Sequence, residues 1–189
     1  MWLARYPGTQ LAVSRLTRVA RRLNADDRGV AAIEFGLVAT FLTFSVLNVA
    51  DISIYVYQRM EVENATEMGA AAALKNCTTA QLPATTSCAA LNNAVTAAVQ
   101  STSLGTQITL QSGSPSEGYY CLNSSNALQY MSGVNSKPAD CTAAGSPSLQ
   151  PSDYIQVSTS FSYKPLFPGI TVAGTFTTPI TKTALMRLG

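Results

Sequence analysis

Histidine is absent from this 189-residue chain. That removes the side chain most used as a general base and most used as a metal ligand near neutral pH. Charge is scarce, at 12% of residues, and no block of the sequence repeats at a fixed period. There is no phosphate-cradling glycine loop, no nucleophile elbow and no acidic metal cluster. Beyond Glu67 the only carboxylates are Glu117, Asp140 and Asp153, far apart in the chain. The sequence therefore reads as a non-enzyme, with no cofactor and no metal expected. Neither proline nor glycine occurs from Leu37 to Met68, so nothing there interrupts a helix.

What charge there is falls unevenly. Ahead of Val30 stand six arginines (Arg5, Arg15, Arg18, Arg21, Arg22, Arg28) and two aspartates (Asp26, Asp27), leaving +4 on a chain whose net charge is +2. A basic block beside an apolar run is the cytoplasmic flank of a membrane segment by the positive-inside rule. A nucleic-acid arm is the competing reading, but no basic folded face accompanies the block, and no nucleic-acid partner is expected. The four cysteines, Cys77, Cys88, Cys121 and Cys141, all follow the apolar run. An even number on the exported side reads as two disulfides, and without histidine the spacings do not make a zinc site. Three connectivities are open. Cys77–Cys88 and Cys121–Cys141 are favoured because both close short loops, and four buried thiols are the alternative.

Taken in order, residues 1–29 are a basic leader in which Leu11, Leu16, Val19 and Leu23 have roughly helical spacing. Val30 to Ala50 makes twenty-one residues, about 31 Å of helix and enough to cross a bilayer core. It spans only if Glu34 is tolerated near one end, because a carboxylate inside a membrane helix costs a few kcal/mol. Tyr55 and Tyr57 fall where an aromatic belt would lie. We read one helix over 30–74, in the membrane to about residue 50, followed by a head over 75–189. A second helix is expected from a Ser87 cap through Leu91, Val95 and Val99. Strands are expected at 107–111, 118–122, 154–163, 170–177 and 180–188, with 123–151 a loop tethered by Cys141. The fold class is α+β: a long N-terminal helix packed on a small antiparallel sheet of about four strands, with one short extra helix.

A glycine precedes the apolar run rather than following it, the reverse of a secretory signal. Gly29-Val30-Ala31-Ala32-Ile33-Glu34-Phe35 resembles the class III signal of type IV pilins, above all the Flp/Tad (tight adherence) branch. The stretch is similar to the start of TadE/TadF-like minor pilins, or pseudopilins, and the likeness is good over about 28–60. Tyr154 to Pro168 resembles their late β region more weakly. The resemblance implies that a prepilin peptidase cuts after Gly29, leaving Val30 as the new N-terminus. It implies an assembly role for Glu34, whose carboxylate pairs with the Val30 ammonium of an adjacent subunit, with Phe35 marking the branch. Other pilins, the inner-membrane assembly platform and membrane lipid are the implied partners. The leader would be cytoplasmic, and the head periplasmic or on an extracellular pilus. A head of over a hundred residues departs from the very short major Flp pilins, so the likeness is to minor pilins. An uncleaved, single-span anchored binding or scaffold protein is the alternative.

Overall fold

The computed structural model describes residues 27–189. The leader up to residue 26, with its helical spacing from Leu11 to Leu23, lies outside the described residues. The first element among the described residues, α1, is an unbroken helix, Asp27–Asn76. The chain divides into two compact units, Met1–Asn48 and Val49–Gly189, and each is described by itself.

The described part of the first unit is helix alone. Val30, Ile33, Phe35, Leu37, Phe41 and Phe44 are all exposed on it. Its polar side chains fold back on the helix: the Thr40, Thr43 and Ser45 hydroxyls donate to the carbonyls of Gly36, Ala39 and Phe41 at 2.7, 2.8 and 2.9 Å. Hydroxyls paired in this way can enter an apolar medium without leaving a donor unmet. Among the described residues α1 is the one helix long and apolar enough to cross a membrane.

The second unit holds the rest of α1 and the head. After α1 come two short helices, α2 (Ala84–Ser87) and α3 (Leu91–Val99), and five strands. These are β1 (Ile108–Leu110), β2 (Ser116–Leu122), β3 (Leu128–Gly133), β4 (Ser152–Phe161) and β5 (Ile180–Arg187). All pairings are antiparallel, and β4 is the hub. One edge of β4 carries β5 along most of its length, from Tyr154↔Arg187 to Phe161↔Ile180. Its other edge is shared: β1 takes Thr159 to Phe161 and β2 takes Ser152 to Gln156. The gap between them is closed at Ser158, whose carbonyl accepts from the Gln111 amide at 2.9 Å and whose amide donates to the Ser114 hydroxyl at 2.8 Å. The outer strand, β3, pairs with β2.

The core follows the periodicities of its two layers. On α1, Val62, Ala65, Thr66, Gly69, Ala70 and Ala73 are buried at three- and four-residue intervals, one face of a helix. Ile155, Val157 and Phe161 supply the alternate inward positions of β4, and Leu91, Val95 and Val99 supply α3. The small residues on α1 let the other layers approach closely. A Cβ at Gly69 would stand 2.7 Å from Val99 Cγ2 and 3.3 Å from Val157 Cγ1.

The expected α+β architecture is the one observed, with four differences in detail. The sheet has five strands rather than about four, because Leu128–Gly133, inside the expected loop, is a strand. Two short helices stand where one was expected. Ser87 ends α2 instead of capping α3, whose first position follows Ala90 with no side-chain cap. The segment 170–177 is not a strand but a loop with a 3-10 turn at Val172–Thr175, since its polar side chain Thr171 is committed to a partner on α1.

Candidate functional site

Gly29, Val30, Glu34 and Phe35 lie together on one exposed stretch of α1. A Cβ at Gly29 would meet nothing within 4 Å, so packing does not require the glycine. Val30 and Glu34 are four residues apart and share a helix face. Phe35 is 74% exposed. Among the described residues, Glu34 has no ion-pair partner; the ion pair formed is Lys182 Nζ to Glu63 Oε2 at 2.6 Å, which ties β5 to α1. A carboxylate on an otherwise apolar helix surface is suited to meeting a cation from another molecule once it leaves water.

The sequence did not single out the residue that organises the start of the second unit. Asp51 is fully buried. Its Oδ1 accepts from the Leu166 amide at 2.8 Å, and its Oδ2 accepts from the Phe167 amide at 3.3 Å and from the Thr171 hydroxyl. Its backbone carbonyl accepts from the Tyr163 hydroxyl at 3.3 Å. Tyr163 in turn packs edge-on against Tyr55 at 5.0 Å between ring centres, and Phe176 packs on Tyr55 at 4.7 Å. One carboxylate thus holds the β4–β5 connection against the helix where the apolar run stops. Its position as the first charge after Glu34 was the available signal.

A second buried carboxyl lies in β4. Asp153 is 6% exposed and faces Tyr119 across the β2–β4 pairing. Burial pushes its pKa up to about 7, helped by the charge of Glu117 and a hydrogen bond to it, while Lys137 opposes. The Oδ1 atom of Asp153 has no hydrogen-bond partner in the structure. Glu117 accepts from the Ala84 amide at 2.8 Å and from the amide and hydroxyl of Thr85 at 2.7 and 2.8 Å, and so fixes α2 to the sheet. Burial, then the charges of Asp153 and Glu117, also raise the pKa of Tyr119.

The cysteines pair as Cys77–Cys88 and Cys121–Cys141, the local pairing favoured above. The first joins the end of α1 to the residue after α2. The second joins β2 to the segment after β3 and is buried with Ala144 in a small core of its own.

Residues 29–71 match the family model described as TadE-like protein. The matched segment begins at Gly29, runs along α1 and includes Glu34, Phe35 and Asp51. It contains none of the β-strands. No curated protein and no solved structure matches the chain.

Proposed function

We propose, from the TadE-like character of residues 29–71, that the chain is a minor pilin or pseudopilin of a Tad-type pilus or secretion system. The observation that carries this reading is where the match starts. It begins at the glycine that the pilin resemblance places before the cut, and it covers the exposed apolar helix that such a cut would leave at the new N-terminus. A prepilin peptidase acting after Gly29 would convert Val30 into an ammonium group four residues from Glu34.

The helix then has two uses. In the inner membrane it is an anchor, with the leader in the cytoplasm and the head in the periplasm. In an assembly its exposed apolar surface packs on other pilins, and Glu34 meets the Val30 ammonium of a neighbour. Opposite charges attract strongly in a low dielectric, whereas each alone is penalised there, so the pair favours one register of insertion.

Intact mass and N-terminal sequencing of the membrane-extracted protein test the processing step. A mature chain starting at Val30 is expected, and Gly29→Ala is expected to abolish that cut. A chain that retains residues 1–29 would refute the assignment and leave the anchored scaffold. Glu34→Ala should be cut normally yet be recovered far less in sheared pili, and undiminished recovery would sink the pairing.

A further inference from the structure

We propose that the β4–β5 connection, residues 164–175, is a second membrane contact, a foot that rests in the headgroup region of the bilayer holding α1. This rests on the reading of α1 as a membrane anchor.

The placement follows from side-chain contacts along α1 within the second unit. Going from the far end of the head toward Val49, the Thr159 hydroxyl of β4 meets Thr66 at 2.6 Å. Lys182 of β5 meets Glu63. Tyr163 and Phe176 then meet Tyr55, and Leu166, Phe167 and Thr171 meet Asp51. Both arms of the hairpin thus descend the helix, and their connection lies level with Asp51. Asp51 immediately follows Ala50, the last residue of the apolar run. A loop pinned to this residue is pinned at the boundary of the apolar layer.

The chemistry of the loop suits that boundary. Leu166 and Ile170 are 59% and 53% exposed, and Pro168 lies exposed between them. On α1 at the same level, Val49 is 64% exposed on another face of the helix, so helix and loop both present apolar side chains at this level. Lys164 is exposed beside them and carries the charge that anionic headgroups attract. The backbone that would be costly to bring near lipid is already spent, since the Leu166 and Phe167 amides donate to Asp51. The occupant to which these features commit is the bilayer interface, by continuity with the spanning helix.

Tryptophan scanning of the full chain in vesicles of phosphatidylcholine and phosphatidylglycerol tests this, in a Trp2→Phe background that removes the native tryptophan. Probes are placed by Leu166→Trp and Ile170→Trp, with Leu42→Trp inside the span and Leu149→Trp close before the other end of β4. Leu166→Trp and Ile170→Trp are expected to emit further to the blue than Leu149→Trp, to be quenched by lipids brominated near the headgroup, and to resist iodide. If iodide quenches them as fully as Leu149→Trp, the loop stands in water and the proposal is overturned. If both iodide and brominated lipid fail to reach them, protein covers the loop, a second copy included, and the proposal is equally overturned. If Leu42→Trp escapes quenching by deeply brominated lipid, the anchor reading itself falls and the foot with it.

Discussion

Replacing Asp153 by asparagine tests the electrostatics of the head. In the folded chain burial and Glu117 raise the pKa of Asp153 from 3.8 to about 7. Below about pH 4 the carboxyl is protonated in both folded and unfolded chains, and the shift has no effect on stability. Between about pH 4 and 7 the unfolded chain has lost this proton and the folded chain still holds it, so stability falls as pH rises, by about 1.4 kcal/mol per pH unit. Above about pH 7 both forms are ionised and the deficit stays constant. The full deficit is on the order of 4 kcal/mol; partial solvent screening of the site lowers it, and about 2–4 kcal/mol is expected. Asp153→Asn removes the titration while its amide can still donate to Glu117. The assay is guanidinium unfolding of the detergent-solubilised chain at pH 4 to 8, followed by tyrosine near-ultraviolet circular dichroism. Above about pH 5, where the other carboxyls are ionised in both states, the variant should hold a flat stability while the wild type falls away with rising pH. Parallel curves for the two proteins would show that Asp153 ionises normally and refute the account.

Two further outcomes can be checked in the same assay. Gly69→Ala forces a methyl to 2.7 Å from Val99, which is itself fully packed; it should cost about 1–3 kcal/mol, offset by up to about 1 kcal/mol of helix propensity, and a net gain in stability would contradict the packing. Asp51→Asn keeps one carbonyl acceptor for three donors, so a loss of about 1–3 kcal/mol is expected, with faster hydrogen exchange at the Leu166 and Phe167 amides; unchanged protection there would remove Asp51 as the holder of the loop.

What was legible in the sequence was what a single element carries within itself. The long helix shows in an apolar run without proline or glycine, and β4 shows in its alternation from Tyr154. The near pairing of cysteines follows from loop length. What stayed hidden depends on a partner elsewhere in the chain. β3 has no alternating apolar face, and its first three residues are exposed. Its pairing is instead set by the turn before it, where the Asn123 side chain accepts from the Ser125 and Ala127 amides at 2.9 and 3.0 Å and Asn126 adopts a left-handed backbone. Residues 170–177 have strand-like composition, but Thr171 bonds to Asp51, 120 residues away. Asp51 looks like a boundary charge until Leu166, Phe167 and Thr171 surround it. The Asp153–Glu117 pair joins residues on two strands whose register no local signal announces.

The hub position of β4 has a consequence for the order in which the head can form. Every β4 pairing needs residues 152–161, and the longest of them also needs residues 180–187, the last of the strands in chain order. As the chain is made from its N-terminus, the face of α1 from Val62 to Ala73 that is buried in the finished head emerges long before the strands that cover it. Only the β2–β3 hairpin can pair strand to strand earlier, with its Cys121–Cys141 bridge as a local tie. Closure of the sheet is therefore a late, long-range event of the kind that folds slowly. Throughout that interval an apolar helix surface stands open to other chains.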